Sequence, residues 1–319
     1  MEDSFSAFVW RGRKKNRMKK TEIGSALLLF LAAFIWGVAF VAQSVGMDYV
    51  GPFTFNGSRF LIGGMVLTPF AYIRNRKQEK SEAFQELTTQ EQTKQRRTTL
   101  IGGLCCGIAI CIASSFQQAG MQYTSVGKAG FITALYIVLV PVAGIFMKKK
   151  VTPIVWCGVL LAAIGCYFLC ITESFSINYG DVLVFACAVC FTFHILIIDY
   201  FAPKADGVAL SCIQFWFAGI VCMSIALVKE SPEITAILQA AIPILYAGVM
   251  SCGIAYTLQI IGQRNMKPTI ASLILSLESV ISVLAGWAIL HEVLTKRQLF
   301  GCVLVFGAVI LAQIPVKSE

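Results

Sequence analysis

One carboxylate in this chain lies in the middle of a long apolar segment. Residues 269–290 are mostly apolar or small, yet Glu278 interrupts them near their centre. A carboxylate at membrane depth costs about 2–4 kcal/mol on insertion scales, so a segment that contains one needs a compensating partner or a function for it. Glu278 could bind a proton or recognise a cation. Alternatively, it could be a buried carboxyl group that accepts hydrogen bonds from serine or backbone and holds helices together.

The helix predicted around Glu278 has a small, polar side and an apolar side. At 100° per residue, its serines gather on one side with Ala271, Ala285 and Gly286, and Glu278 lies at the edge of that side. We therefore expect the carboxyl group to face protein or a cavity rather than lipid.

A second charged residue, Arg59, lies about one-third of the way along another apolar segment, residues 53–73. It could bind a substrate carboxylate through two parallel hydrogen bonds, pair with an acidic residue, or extend outward to the membrane interface. Of these alternatives we favour a structural or gating role.

Glutamine, tyrosine and tryptophan side chains occur in the same apolar segments. Gln118 and Gln259 lie deep in their segments and are candidates for substrate contacts, whereas Gln122 and Gln263 lie near the ends, where helix packing explains them. Tyr136 could donate its hydroxyl group into a central space, or it could only fill volume. The candidates for an aromatic wall around an organic solute are Trp36, Phe40, Trp216 and Tyr256.

His194 and Asp199 lie in one apolar segment, and the chain has only two histidines. One interpretation is that the pair relays protons. The other is that His194 is an interior hydrogen-bonding residue, which could contact substrate, and that Asp199 is a charge at the membrane interface. The CxxC of Cys187 and Cys190 has no second pair at metal-ligand spacing. We therefore expect no metal site, no cofactor and no catalytic residue.

These residues must be positioned by membrane helices. The chain is 57% hydrophobic and 13% charged, whereas soluble domains carry roughly 25% charged residues. Ten apolar segments approach the roughly 20 residues that a bilayer core requires. They lie near 23–45, 53–73, 100–121, 129–147, 153–171, 180–200, 208–228, 240–261, 269–290 and 298–315. The predicted fold class is an all-α integral membrane protein with ten transmembrane helices.

The basic residues lie between these segments rather than in one stripe, which argues against nucleic-acid binding. With both termini in the cytoplasm, 21 Lys and Arg residues fall on the cytoplasmic side and four on the external side. This asymmetry follows the positive-inside rule and predicts a multi-pass protein of the cell membrane, most simply a bacterial inner membrane. Residues 1–22 would form a basic cytoplasmic segment. The polar stretch 74–99 would be a solvated loop, with a regulatory or lipid-contacting role as the alternative.

The chain contains an internal repeat. Gly107, Cys111, Gln118 and Gln122 recur 141 residues later, and after a one-residue shift Tyr136 corresponds to Glu278. Two halves, 23–171 and 179–315, therefore contain five spans each. Because five is odd, the second half would enter the membrane from the opposite side. Inverted repeats of this kind are the architecture of many secondary transporters, whose substrate site lies between the halves.

The motifs resemble those of one family. WGVAFV (36–41), PFTFNGSRFLIGG (52–64), GDVLVFACAVCFTFHILIIDYF (180–201), ASLILSLESV (271–280) and LHEVLTKRQLFGCVLVFGAVIL (290–311) are similar to helices of the ten-helix EamA-domain transporters of the drug/metabolite transporter superfamily. A proline usually follows the intramembrane glutamate in that family, and Ser279 stands there in this chain, which predicts less bending. The resemblance covers essentially the whole chain after residue 20. It implies export or facilitated passage of small metabolites, amino acids or drugs.

We therefore predict a secondary transporter or facilitator that moves a small organic solute across the lipid bilayer by alternating access, as an exporter and as a monomer. No Walker-type glycine-rich loop occurs, so an ion gradient, with protons as the coupling ion, would drive it. One alternative is a membrane-embedded enzyme acting on a lipid-like substrate, although the chain has no Asp-rich motif. The other is a channel-like facilitator.

Overall fold

The structure is a computed structural model that describes residues 2–124, 126–149, 151–170, 177–291 and 293–312. Within these ranges every regular element is helical. The helices are α1 (Glu2–Gly46), α2 (Pro52–Glu79), α3 (Glu82–Gln85), α4 (Thr89–Gly120), α5 (Val126–Ala134), α6 (Tyr136–Phe146), α7 (Pro153–Cys170), α8 (Tyr179–Phe201), α9 (Gly207–Lys229), α10 (Ile234–Gln239), α11 (Ala241–Leu245), a π-helical segment (Tyr246–Ala255), α12 (Tyr256–Gln263), α13 (Pro268–Leu275), α14 (Leu277–Leu290) and α15 (Lys296–Ala312).

Seven helical stretches in the described part of the chain are long and apolar enough to cross a membrane. They are Thr21–Gly46, Thr89–Gly120, Ala129–Phe146, Tyr179–Phe201, Gly207–Lys229, Ala241–Gln263 and Pro268–Ile289. Their outer faces carry exposed apolar side chains such as Phe30, Ile112 and Ile220. Because so much exposed apolar surface needs a nonaqueous solvent, the chain is a multi-pass membrane protein.

The described parts of the three other predicted spans also lie in helices, namely α2, α7 and α15, whereas residues 171 and 313–315 of these spans lie outside the described residues. A shorter apolar helix covers Pro153–Phe168, and α15 has 17 residues. The apolar part of α2 is diluted by Thr54, Asn56, Ser58 and Arg59. The count of ten transmembrane helices therefore stays a prediction.

The polar stretch 74–99, predicted as a loop, is mostly helical. Helix α2 continues to Glu79 and α4 begins at Thr89, with only α3 between them. Thr88 and Glu91 form a capping box, in which the Glu91 backbone N–H donates to Thr88 Oγ1 at 3.3 Å and the Thr88 N–H donates to Glu91 Oε2 at 2.9 Å. The Gln, Glu, Lys and Arg residues here are good helix formers, so the helices extend beyond the apolar spans. For the same reason the basic N-terminal segment continues α1, which begins at Glu2.

Two segments predicted as continuous helices are interrupted. One break, at Leu135, separates α5 from α6, and the other, at Ser276, separates α13 from α14. The hydroxyl groups of Ser272, Ser276, Ser279 and Ser282 each donate to the carbonyl oxygen three residues earlier, at 2.7–2.9 Å. Such bonds compete with the helical pattern and bend helices. The segment is thus interrupted although it has a serine after Glu278 instead of a proline.

The two halves of the chain contact each other through reciprocal pairs of helices. Helix α2 packs against α9, and α7 packs against α15. Helix α1 packs on the π-helical segment, α12, α13 and α14. Helix α8 makes the matching contacts with α4, α5 and α6. When a contact between one helix of the first half and one of the second recurs between their counterparts, the contacts are typical of a pseudo-twofold arrangement.

Candidate functional site

A cavity of about 40 Å³ lies between the two halves of the chain. Each half contributes seven of its lining residues. Those of the first half are Trp36, Phe40, Gln43, Arg59, Gln117, Thr133 and Tyr136, and those of the second half are Phe191, Ile195, Ser251, Tyr256, Gln259, Leu275 and Glu278. This space is smaller than the roughly 300–1,000 Å³ of ligand pockets, so an organic solute would need the surrounding helices to move apart.

Glu278 lies on this cavity two residues after the break at Ser276, and Tyr136 lies directly after the break at Leu135. The Tyr136 hydroxyl group donates a hydrogen bond to Glu278 Oε1 at 2.8 Å. Glu278 is only 7% exposed. The nearby serine hydroxyl groups donate to their own helix instead. A tyrosine of the opposite half, rather than a serine, is therefore the described partner of this carboxyl group.

Arg59 is buried on the cavity wall, with 3% of its surface exposed. Its Nη1 donates to Gln43 Oε1 at 2.9 Å. Its guanidinium group lies 4.9 Å from the ring centre of Phe60 and 5.6 Å from that of Phe55, within the range of cation–π attraction. The side chain thus points into the protein and does not reach outward to the membrane interface.

The cationic and anionic side chains of the cavity do not form an ion pair with each other. Among the residues that the structure describes, the ion pairs are Arg74–Asp206, Arg96–Glu79 and Lys149–Asp199. Arg59 Nε is buried without a hydrogen-bond partner. Because an uncompensated charge in a low-dielectric site is costly, this arrangement favours a ligand that supplies compensating groups.

The polar atoms of two other cavity residues are also unsatisfied. Trp36 Nε1 and Gln259 Oε1 are both buried without a partner in the described structure. The ring centres of Trp36 and Tyr256 lie 4.5 Å apart, and together with Phe40 they form an aromatic wall. The cavity therefore combines aromatic surface with a free donor and a free acceptor.

Two of the predicted substrate contacts lie outside the cavity lining. Gln118 Nε2 points towards the Gln43 carbonyl oxygen, at 3.4 Å, and the adjacent Gln117 lines the cavity in its place. His194 lies behind Tyr256, its ring centre 5.9 Å away, and its Nε2 is 3.1 Å from Gln214 Oε1. In a helix adjacent residues differ by 100° in direction, and the repeat alone does not reveal which of two neighbouring glutamines faces inward.

Other candidates from the sequence also have partners elsewhere. Asp199 pairs with Lys149, whereas His194 contacts Gln214. Trp216 Nε1 donates to Thr68 Oγ1 at 3.0 Å, and Trp216 does not line the cavity. Gln263 Nε2 donates to the Ile195 carbonyl oxygen at 3.3 Å, as expected of a packing residue.

Sequence reasoning missed several lining residues, and the repeat could have revealed some of them. Phe191 and Ile195 follow Trp36 and Phe40 by 155 residues. By the same logic, Leu275 follows Thr133 by 142 residues, the spacing that links Tyr136 to Glu278. All of these residues line the cavity. Gln43 carried no such signal, because the residue 155 positions later is Ile198.

Tyr256 and Gln259 follow the π-helical segment, and Ser251 lies within it. A π-helix has a wider turn than an α-helix and is frequent at functional sites. Small residues such as Gly248 and Ala255 leave room for the neighbouring helices here. This local irregularity sets which side chains of the segment face the cavity.

The model of the EamA-like transporter family matches residues 23–171 and again residues 178–313. The chain belongs to the EamA-like transporter family. An uncharacterized transporter of Archaeoglobus fulgidus is 31% identical over 296 residues, which are 90% of this chain and 85% of that protein. The uncharacterized inner membrane transporter YedA of Escherichia coli is 21% identical, over 89% of this chain and 88% of its own length.

A solved crystal structure has a similar fold. It superimposes with a TM-score of 0.71 at 17% identity and covers 91% of this chain and 96% of the other. At this identity the likeness concerns the fold alone. The family and the relatives' names together indicate that this EamA-like protein is a membrane transporter.

Proposed function

We propose that this EamA-like protein is a secondary transporter for a small organic solute, with the cavity between its two halves as the solute site. The observation that carries the proposal is that both halves contribute equally to this cavity, next to helices interrupted at Leu135 and Ser276. In many secondary transporters the substrate binds near interrupted helices at the interface of two repeats.

The proposed mechanism is alternating access of two inverted five-helix repeats that cross the membrane ten times. Its support is the double match of the family model, the helices in the described parts of the ten predicted spans and the reciprocal contacts between the halves. Both termini would be cytoplasmic, as the distribution of basic residues predicts. Because the cavity is complete within one chain, we propose that a monomer transports. Export as the net direction rests on the family resemblance.

We propose that the solute contacts Glu278, Tyr136 and Gln259 through hydrogen bonds and packs against Trp36, Phe40 and Tyr256. Arg59 would keep its structural role through Gln43 and Phe60 while presenting Nε to the cavity. Gln118 and His194 would support the wall from behind rather than touch the solute.

Protons are the proposed coupling ion, because Glu278 is the carboxyl group on the cavity. Proteoliposomes loaded at one pH and diluted into another, with uptake of a radiolabelled amino acid and amine panel, test this coupling. We expect Glu278→Gln to remove the dependence of uptake on the pH gradient. Glu82→Gln, which alters an exposed carboxylate far from the cavity, is the matched control. Unchanged uptake and unchanged pH dependence in Glu278→Gln would exclude Glu278 from the mechanism.

A further inference from the structure

We propose that the solute is a zwitterion whose acidic group binds at Arg59 and whose ammonium group binds at Glu278. This inference rests on the proposed function, since it names the chemical class that the same cavity would accept. It starts from the two opposite charges on the cavity wall, which the described structure leaves unpaired with each other.

The cationic end of the site suits a planar acid. Gln43 occupies Arg59 Nη1, and Phe55 and Phe60 lie within cation–π range of the guanidinium group, yet Nε remains a buried donor without a partner. A guanidinium group binds a carboxylate through parallel hydrogen bonds from one edge. Trp36 Nε1, on the same cavity, is a further buried donor without a partner. Arg59 Nε and Trp36 Nε1 are therefore two unsatisfied donors to which an acceptor group of the solute can bind.

The anionic end suits an ammonium group. Glu278 Oε1 accepts a hydrogen bond from Tyr136, which fixes the carboxyl group in place. The amide oxygen of Gln259 is buried on the same cavity without a donor. An ammonium group has three donors, and the faces of Trp36 and Tyr256 add cation–π attraction.

The repeat shows that each half supplies one charge and an uncharged counterpart. Glu278 corresponds to Tyr136, and Arg59 in "GSRF" corresponds to Gln214 in "CIQF". Phe60 and Phe215, which follow in these two motifs, stack on each other at 5.6 Å. A solute with one charge would compensate one half and leave the buried charge of the other half uncompensated, which is unfavourable. A zwitterion compensates both halves at once.

The test uses amino acids and their one-charge analogues on the purified full-length protein in detergent. Alanine, leucine and phenylalanine are each compared with the amine and the carboxylic acid of the same side chain, namely ethylamine and propionate, 3-methylbutylamine and 4-methylpentanoate, and phenethylamine and 3-phenylpropionate. Dissociation constants come from the ligand-dependent rise in melting temperature. We expect at least one amino acid to bind about tenfold or more tightly than both of its analogues.

Two variants test which residue binds the carboxylate of the amino acid and which binds its ammonium group. Arg59→Gln should abolish the preference of that amino acid over its amine, and Glu278→Gln should abolish its preference over its carboxylic acid. Arg59→Lys and Glu278→Asp keep the charge and should retain part of each preference, which covers the case of a misfolded Gln variant. An analogue with one charge that binds as tightly as its amino acid would overturn the proposal. Failure of all three amino acids to bind, or preferences unchanged in the Gln variants, would overturn it as well.

Uptake into proteoliposomes tests the proposed function separately from the class of solute. If an amino acid binds with both charge preferences but does not enter proteoliposomes, the solute class stands and the transport proposal fails. If uptake occurs for amines or acids alone, transport stands and the zwitterion proposal fails.

Discussion

At the scale of single residues, the hydrogen bond from Tyr136 to Glu278 joins repeat-equivalent positions of the two halves. The inward orientation of Glu278 was predictable from the small, polar side of its helix, and the tyrosine was predictable from the repeat. The role of Gln43 was not, because its partner Arg59 lies 16 residues away on another helix and nothing in the local pattern links them. The periodicity of a helix shows which of its faces points inward, whereas the contacts between different helices depend on how those helices pack.

We predict that Tyr136→Phe lowers the affinity of the cavity for its solute about threefold to tenfold, because removing the phenol leaves the buried Glu278 carboxyl group without its described donor. Ligand-dependent melting of the purified variant measures the change. Tyr49→Phe, at an exposed tyrosine, should bind as the wild type does. Equal affinity in Tyr136→Phe would show that this hydrogen bond does not shape the site.

We predict that Gln43→Leu destabilises the folded protein by about 1–3 kcal/mol, since it removes the acceptor of a buried guanidinium group. Thermal unfolding in detergent gives the shift in melting temperature. Gln122→Leu makes the same change at an exposed position in the chain and should shift it little. Similar melting temperatures for the two variants would contradict the structural role of Gln43.

At the scale of elements, the first turn of α2 is capped by a side chain from the other half. The Glu230 carboxylate accepts hydrogen bonds from the Phe53 and Thr54 backbone N–H groups at 2.9 and 2.7 Å, and from Thr54 Oγ1 at 2.8 Å. A carboxylate there satisfies free N–H groups and opposes the positive end of the helix dipole. Helix α2 therefore depends on the end of α9, far away in sequence.

We predict that Glu230→Gln speeds amide hydrogen exchange at Phe53 and Thr54 and costs about 1 kcal/mol of stability, because the amide is a weaker acceptor without charge. Hydrogen–deuterium exchange with mass spectrometry measures the local effect. Glu233→Gln is the matched control, since the Glu233 side chain makes no capping hydrogen bond to α10. Unaltered exchange at residues 53 and 54 would refute the capping role.

Helix α1 packs closely against α14 at Gly37. A Cβ atom at Gly37 would lie 2.4 Å from Ile281 Cβ and 2.9 Å from the Glu278 carbonyl oxygen, whereas one at Gly24 would meet nothing within 4 Å. We expect Gly37→Ala to lower stability by about 1–3 kcal/mol and to weaken solute binding by moving α14. Gly24→Ala should be neutral or stabilise by up to about 1 kcal/mol. Melting curves of the two variants that coincide would contradict this packing.

The elements show what the sequence specified and what it did not. Apolar length predicted the helices well, because each span needs about 20 residues to cross the membrane. The interruptions at Leu135 and Ser276 and the π-helical segment escaped prediction. At Ser276 and in the π-helical segment, the serines and small residues are equally compatible with a straight helix. These irregular places position Tyr136, Glu278 and Tyr256 on the cavity.

At the scale of the whole molecule, polar contacts join the two halves at both ends of the helices. At one end Glu230 caps α2, and Thr124 donates to Asp181 Oδ1 at 2.7 Å. At the other end Arg74 pairs with Asp206, and Lys149 pairs with Asp199. Under alternating access, one set of contacts would separate while the other holds, so that the cavity opens to one side at a time.

The most direct test of a solute site that alternates between two sides is entrance counterflow in proteoliposomes. Vesicles loaded with an unlabelled solute that binds the cavity are diluted into a trace of the same solute with a radiolabel. Alternating access predicts a transient accumulation of label above equilibrium in the wild type. Label that only equilibrates, with a rate proportional to concentration and no overshoot, would indicate a channel-like pathway and contradict alternating access.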